Sequence, residues 1–436
     1  MIPLTGITES GAMTRRGELQ KKMKELIDKY ADKLVSQGLA KGSEILSLAI
    51  DEEIYSNTTS DLHFISLQAL KEVFGLMNIN SLLFAVPEEP RRSIIRALLR
   101  YGLSELPDYR AIIPEDCETR TFFHDIPVID SPDPQKIAHV LSERKSAVVE
   151  TGTAIVSYGT ISPEQAFISY SSACFSTFVK YFHDHLIYLE TCKKNNLKPD
   201  RERINGFDRI KAFLYPQQAG LEDSGSLHQL LKGPPEDEAM VYSMMVEAGK
   251  RLVTERLVDS FFGNMSSYFD SRIYISETAA SLDELEGCID AVPVDGSSSV
   301  GITSSSEFAT HRAIYRMTPF RFILHGHPKF SVIMSMHCLK ECHLRGQCYK
   351  ACPEKRYVCG VPVVPGEVGT GPTGMVRTVP EAFKESDAAI VYGHGIFTAA
   401  EEDFNRPFQR MKEIEENCEK EYFRIVGELM QEVSTC

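Results

Sequence analysis

Two stretches of this chain follow one plan, and that repetition constrains the fold more than any other feature. ETGTAIVSYGTISPEQAFISYSSACFSTFVKYF (150–182) opens with an apolar, strand-like run, passes a glycine turn and continues as a long helical stretch. ESDAAIVYGHGIFTAAEEDFNRPFQRMKEIEENCEKEYF (385–423) does the same, with Ala154-Ile155-Val156 aligned to Ala389-Ile390-Val391 and Gly159 to Gly395. Upstream, NSLLFAVPEE (80–89) and FRFILHGHPKF (320–330) each hold a short apolar strand that ends at a proline. Phe84 and Tyr158 are 74 residues apart, His325 and His394 69. Similar elements at similar spacing imply an internal duplication. On this alignment His325, His327 and His394 stand against Phe84, Val86 and Tyr158, so the first copy could keep the fold but not the same ligands.

Between the copies lies YPQQAGLEDSGSLHQLLKGPPEDE (215–238), rich in breakers: Pro216, Gly220, Gly225 and Gly233-Pro234-Pro235. The expected organisation is a degenerate domain over 1–214, a linker over 215–237 and a second domain over 238–436. Short apolar strands alternate with amphipathic stretches such as AMVYSMMVEAGKRLVTERLVDSFF (239–262), which predicts α/β layers. At 436 residues and 43% hydrophobic, the chain can bury more than one core. Its net charge of −14 without a long basic run excludes a general nucleic-acid binder. A small anionic substrate remains compatible, because a local site can oppose the overall field. No apolar run approaches the ~20 residues that cross a bilayer. The start, MIPLTGITESGAMTRRGELQ, lacks the apolar stretch of a secretory signal, so the chain is read as cytoplasmic, without a membrane partner.

In RFILHGHPKF the histidines stand at i and i+2 of a strand, where side chains share a face, so both imidazoles can reach one ion. His394 would add a third from the turn after another strand. Three neutral nitrogens with an open position suit a catalytic zinc rather than a closed structural one. His183-Asp184-His185 has the same spacing in a helical stretch, where i and i+2 diverge by about 200°. That pair is read as a solvated helix face.

Eleven cysteines include five between Cys338 and Cys359. Cys338, Cys342, Cys348, Cys352 and Cys359 are spaced x3, x5, x3 and x6, within the range of structural zinc ligands for the x3 pairs. Cys348-x3-Cys352-Pro353 resembles the end of an iron–sulfur run. A second zinc or an iron–sulfur cluster on Cys338, Cys342, Cys348 and Cys352 is therefore expected, with His337 and His343 as further ligands. The alternative is a loop of reduced thiols or a redox pair.

From about residue 240 to 425 the motifs form an ordered set: the helix ERLVDSFF, Gly263-Asn264-Met265-Ser266, the strand RIYIS with ETAASLDEL, Ser304-Ser305-Ser306-Glu307 with His311, His325-Gly326-His327-Pro328, and Gly393-His394-Gly395. This set resembles the class II aldolase/adducin family, whose members include fuculose-phosphate and rhamnulose-phosphate aldolases and ribulose-phosphate 4-epimerase. The resemblance implies two tandem class II aldolase-like three-layer α/β/α domains, the N-terminal one degenerate. It implies Zn2+, or another divalent cation, on His325, His327 and His394, with Glu307 as acid/base. A carboxylate beside such an ion can move a proton at carbon while the ion stabilises negative charge on oxygen; the same residue could instead cap the helix FATHRAIYRM. Gly263, Asn264, Thr278, Ser305 and Ser306 correspond to substrate-binding positions, a set of short polar side chains and backbone N–H groups that can cradle an anion.

Two departures stand out. Thr278-Ala279 replaces the Thr-Gly common in the family. MHCLKECHLRGQCYKACPEKRYVCGVPVVPGEVGTGPTG (336–374) replaces the region that carries the family's proton-donating tyrosine, leaving Tyr349 and Tyr357 as candidates. The implied activity is reversible aldol cleavage of a small hydroxy-carbonyl compound, with phosphorylated sugars as one class. The alternatives are an epimerase or decarboxylase of the same family, or a non-catalytic adducin-like scaffold. Family active sites lie between subunits of a ring of four, so a duplicated chain implies a homodimer or higher homo-oligomer.

Overall fold

The computed structural model describes residues 9–215, 229–259, 261–295, 297, 300–366 and 373–434. Residues 216–228 of the expected linker and the first eight residues of the N-terminal stretch lie outside the described residues. The chain divides into two compact units: Met1–Pro114, Thr119–Tyr181 and Asn205–Pro216 in one, and Glu115–Glu118, Phe182–Ile204 and Gln217–Cys436 in the other.

The first unit holds strands β1 (Ala40–Asp51), β2 (Glu53–Ser56), β3 (Ser81–Pro87), β4 (Ser104–Glu105), β5 (Arg110–Ile112), β6 (Ile126–Ile129), β7 (Ser146–Val149) and β8 (Ala154–Gly159). They pair in the order β2-β1-β3-β8-β7-β6-β5-β4, antiparallel except for β6 with β7. The second unit holds β9 (Gly263–Phe269), β10 (Arg272–Ser276), β11 (Ile289–Pro293), β12 (Phe322–Gly326), β13 (Arg356–Val358), β14 (Val361–Val364), β15 (Ala388–Val391) and β16 (Gly395–Ala400). Their order is β11-β10-β9-β12-β16-β15-β14-β13, antiparallel except for β14 with β15. Seven strands coincide in order and direction: β2-β1-β3-β8-β7-β6-β5 with β10-β9-β12-β16-β15-β14-β13. β4 and β11 are additions at opposite edges.

Both sheets are covered on two faces by helices, a three-layer α/β/α arrangement. In the first unit the helices Leu67–Leu76 and Pro134–Glu143 cover one face and bury Leu46, Leu82, Phe84, Val86, Val149 and Val156. Their counterparts in the second unit, Phe308–Met317 and Met375–Ala382, cover Ile273, Ile275, Ile323, Val391 and Phe397. Lys329–Met336 and Asn405–Ser434 lie on that sheet's other face. The strands read as near-continuous apolar runs because both faces are buried.

The register corrects the sequence alignment. β12 pairs His325 with Phe397, and β3 pairs Phe84 with Val156. Phe84 therefore corresponds to His325 as expected, but Ala154-Ile155-Val156 belongs with Gly395-Ile396-Phe397, not with Ala389–Val391. The counterpart of His394 is Thr153, the residue before β8, and not Tyr158. Each sheet has two consecutive apolar strands here, and apolarity alone does not say which of the two a segment is.

Two further expectations change. The helix that starts at Glu238 stops at Thr254, with Arg256 at φ 59°, so residues 255–259 of ERLVDSFF turn rather than continue the helix; Ser260 lies outside the described residues. Gly263-Asn264 opens β9. His183-Asp184-His185 lies in the helix Pro163–Lys194 but is not a solvated face: His185 is buried, as are Phe178, Val179, Phe182, Leu186 and Leu189 of the same helix. That helix is apolar around most of its circumference here, and a helix of this kind is buried all round. Among the described residues no helix is long and apolar enough to cross a membrane.

Candidate metal and acid/base site

β12 ends in His325-Gly326, and His327 follows at the strand's mouth; His394 comes from the turn between β15 and β16. One ring nitrogen from each of the three lies within 4.8 Å of the other two, and all three side chains are buried. His325 Nδ1 lies 2.9 Å from the Ile396 carbonyl oxygen, which can only accept, so this nitrogen carries the proton. That leaves the Nε2 lone pair facing inward, 3.0 Å from His327 Nε2. Phe397, its partner across the strand pair, stacks on the His325 ring at 4.0 Å and holds its plane.

Glycines make room for this convergence. A Cβ on Gly395 would stand 2.4 Å from the Gly326 oxygen and 2.6 Å from His327 Cδ2. Gly263, at φ 148°, would drive one to 2.4 Å from the His325 oxygen.

Glu307 occupies the N-cap of the helix Phe308–Met317 but makes no side-chain cap bond. Its carboxylate turns to the histidines instead: Oε1 is 3.0 Å from His394 Nε2, and Oε2 is 3.3 Å from His325 Nε2. Asn264 Nδ2 donates to Oε2 at 2.8 Å. Burial by itself would raise this carboxyl; the adjoining His325 and His394 rings and the Asn264 amide outweigh it and hold the group well below the usual carboxylate range. Burial pushes His325 down to about 4 and His327 well below its ordinary value. His394 goes the other way. Burial would lower it, but its hydrogen bond to Glu307 and the charges of Glu118, Glu307 and Asp116 raise it.

Residues 243–422 match the model of the class II aldolase and adducin N-terminal domain family. The match covers 180 of the chain's 436 residues and lies within the second unit. Among solved structures, the chain is similar to L-fuculose-1-phosphate aldolase from Thermus thermophilus, at 24% identity over 44% of this chain and 96% of that one, TM-score 0.36. It is also similar to a sugar-phosphate aldolase from Thermotoga maritima, at 18% identity over 43% and 96%, TM-score 0.33. The N-terminal class II aldolase domain of a conserved Thermoplasma acidophilum protein matches at 12% identity over 46% and 99%, TM-score 0.31. No curated protein matches the chain.

Behind Glu307 the second unit holds a buried polar chain that no local motif announces. His311 Nε2 donates to Asn264 Oδ1 at 2.7 Å. Its Nδ1 is then the acceptor, 2.6 Å from Ser266 Oγ, which lies 2.6 Å from the Tyr315 hydroxyl. Burial pushes His311 down to about 3 and raises the Tyr315 hydroxyl, so both stay neutral. The chain fixes which way the Asn264 amide faces, and hence which end of it meets Glu307. Only periodicity hinted at this: Asn264 and Ser266 share one face of β9, and His311 and Tyr315 are four apart on a helix. Glu415 was also missed. It accepts from the Phe330 and Ser331 backbone N–H groups at 2.8 Å each and ties down the helix that follows His325-Gly326-His327-Pro328.

The remaining expected residues are distributed as follows. Ser305 is buried and its Oγ accepts from the Glu307 N–H, whereas Ser306 and Thr278 are exposed. Thr278 donates its hydroxyl to the Ser304 carbonyl. The side-chain amide of Asn264 is engaged on both ends, by Glu307 and His311. Tyr357 lies on β13, four strands from β12, or about 19 Å at ordinary strand spacing. Among the described residues no three of Cys338, Cys342, Cys348 and Cys352 bring their sulfur atoms within 4.8 Å of one another, but burial and the nearby Cys338 and Cys342 thiols raise the Cys352 thiol. Residues 337–355 contain no helix or strand to hold thiols at tetrahedral spacing. Among the described residues a second group that meets that distance joins Glu115, His183 and Asp184, in which His183 Nδ1 pairs with Glu115.

Proposed function

We propose that the second half of the chain is a metal-dependent carbon–carbon lyase of the class II aldolase type. Its substrate is a small hydroxy-carbonyl compound, phosphorylated or not, and its reaction is reversible aldol cleavage. One observation carries the reading: three buried imidazoles converge within 4.8 Å, with a carboxylate 3.0 and 3.3 Å from two of them.

The donor set fits a divalent ion. Burial keeps His325 and His327 neutral, which is the ligating form, and the His325 Nδ1 contact leaves Nε2 to ligate. Three nitrogens leave a position open, as catalytic zinc requires. His325, His327 and His394 would hold the ion. Once bound it supplies a Lewis acid that stabilises negative charge developing on substrate oxygens.

The chain's own residues do the rest. Glu307 is ionised in the ordinary pH range and so stands ready to accept a proton from the substrate. Asn264 and the chain behind it restrain the carboxylate, so it does not have to be oriented during each turnover. The covering of Phe397 and the buried β12 mouth keep bulk water from the imidazoles.

The test combines metal analysis of purified protein with a screen of aldol donors and acceptors, comparing wild type with Glu307→Gln. We expect one divalent ion per chain and a fall in kcat of about 10²–10⁴ for the variant, the range of general acid–base catalysis. Activity untouched by Glu307→Gln would overturn the assigned role. Inversion at a substrate carbon without net cleavage would favour the epimerase reading, and release of carbon dioxide the decarboxylase reading. A protein that takes up no divalent ion would leave the scaffold reading.

A further inference from the structure

We infer that Glu118 is the outer partner of His394, accepting the Nδ1–H of that ring and so fixing the tautomer in which Nε2 faces the metal pocket. This rests on the metal reading above.

His394 Nε2 faces Glu307 and the other two imidazoles. On the opposite side of the ring, Nδ1 is buried and makes no hydrogen bond. Glu118 Oε2 is 3.5 Å from it. When the ring ligates through Nε2, its one proton must sit on Nδ1, and a buried N–H left without an acceptor is destabilising. Ligating histidines meet this requirement with a carboxylate or a backbone carbonyl. His325 has the carbonyl of Ile396. For His394 the nearby acceptor is Glu118.

The contact is held in place by its neighbours. Glu118 belongs to the short segment Glu115–Glu118, which falls in the second compact unit although it is remote from it in sequence. The Cys117 N–H donates to the Gly393 carbonyl at 2.6 Å, and the Cys117 thiol to the Tyr392 carbonyl at 3.4 Å. A Cβ on Gly393 would meet Cys117 Sγ at 3.1 Å, so the segment lies tight against the turn that carries His394. An exposed acidic side chain near a surface histidine would be an ordinary surface pair. Here the histidine is buried and the segment that brings the carboxylate is bonded to the adjoining residue.

The test is zinc affinity, measured by competition against a chromophoric chelator, for the full chain and its variants. Glu118→Ala is expected to weaken zinc 10- to 100-fold, the usual effect of removing an outer partner. Glu118→Gln, which keeps an acceptor oxygen, should recover most of that loss. Glu115→Gln, three residues away and paired to His183, should stay within twofold of wild type. If Glu118→Ala does not fold, Glu118→Met replaces it, similar in size and without an acceptor. A wild type that binds zinc while the Ala and Met variants bind equally well overturns this inference alone, as does a Gln variant as weak as Ala. A wild type that binds no zinc overturns the metal reading and this inference with it.

Discussion

Where the second sheet has His325, His327 and His394, the first has Phe84, Val86 and Thr153; where the second has Glu307, the first has Ser66. The separations are retained. Ser66 and Phe84 are 18 residues apart, as are Glu307 and His325; Phe84 and Thr153 are 69 apart, as are His325 and His394. Ser66 behaves as an ordinary cap, its side chain accepting from the Ala69 N–H. Glu307 stands at the same helix position and gives that bond up to face the histidines. The registers extend the comparison to Leu46 against Asn264, and to Ile45, Ala85 and Ala154 against Gly263, Gly326 and Gly395. In the first copy Leu46, Phe84 and Val86 are core. The same scaffold thus serves either for close apolar contact or for a buried polar pocket. The second use needs three side chains reduced to glycine and a carboxylate taken from its helix.

The strongest test converts the second copy into the first. His325→Phe, His327→Val and His394→Thr together should abolish zinc uptake and reduce activity to background. With Glu307→Ser added, so that no buried carboxylate is left without its imidazole partners, the metal-free protein should melt no lower than wild type, because each buried polar group is replaced by the residue that fills the same place in the other copy. Stoichiometric zinc in this variant would mean that the ion sits elsewhere.

A smaller change uses a single methyl group. Ala154 is tolerated at its place in the first copy, but Gly395→Ala would press on His327 Cδ2 and the Gly326 oxygen. Displacing catalytic groups by about 1 Å costs on the order of 10²-fold, and we expect a loss of that size in kcat/KM. Wild-type kinetics would show that the pocket can open without penalty.

Acid should also separate the copies. His325, pushed down to about 4, and His311, to about 3, titrate below the 6.5 of the unfolded chain. The unfolded state therefore binds more protons between those values. The stability these rings contribute is complete above about pH 6.5 and falls as pH drops toward 4. His394, raised, acts in the opposite direction and offsets part of this. Phe84, Val86 and Leu46 carry no such charge. In metal-free protein, amide protection factors, corrected for the intrinsic slowing of exchange in acid, should fall in Phe322–Gly326 before Ser81–Pro87 as pH is lowered from 7 to 5. The reverse order would break the comparison.

Much of this site was legible in the sequence because it follows strand and cap periodicity. His325 and His327 share a face by the rule of two, and Glu307 lies at a Ser-rich helix start. The duplication was visible for the same reason, yet Tyr158 was matched to His394 because β7 and β8 are both short apolar strands. What stayed hidden is non-local. Asn264 meets His311 across 47 residues, and Glu415 reaches Ser331 across 84. The spacing of His183 and His185 shows that they point to different sides of a helix, but not that the His185 side is buried. The cysteine spacing resembled a ligand set, but no element fixes the geometry of that loop.

The mildest expectation concerns Thr278-Ala279, where the family more often has Thr-Gly. Ala279 adopts φ 60°, a left-handed conformation that glycine reaches without penalty and alanine does not. Ala279→Gly should relieve about 1 kcal/mol of strain, partly offset by the greater freedom of glycine in the unfolded chain. A small gain in melting temperature with unchanged zinc affinity is therefore expected, since Ala279 touches none of the three imidazoles. A clear loss of stability would mean that the alanine methyl makes a contact worth more than the strain. The departure from Thr-Gly would then be a packing feature of this copy, not a tolerated misfit.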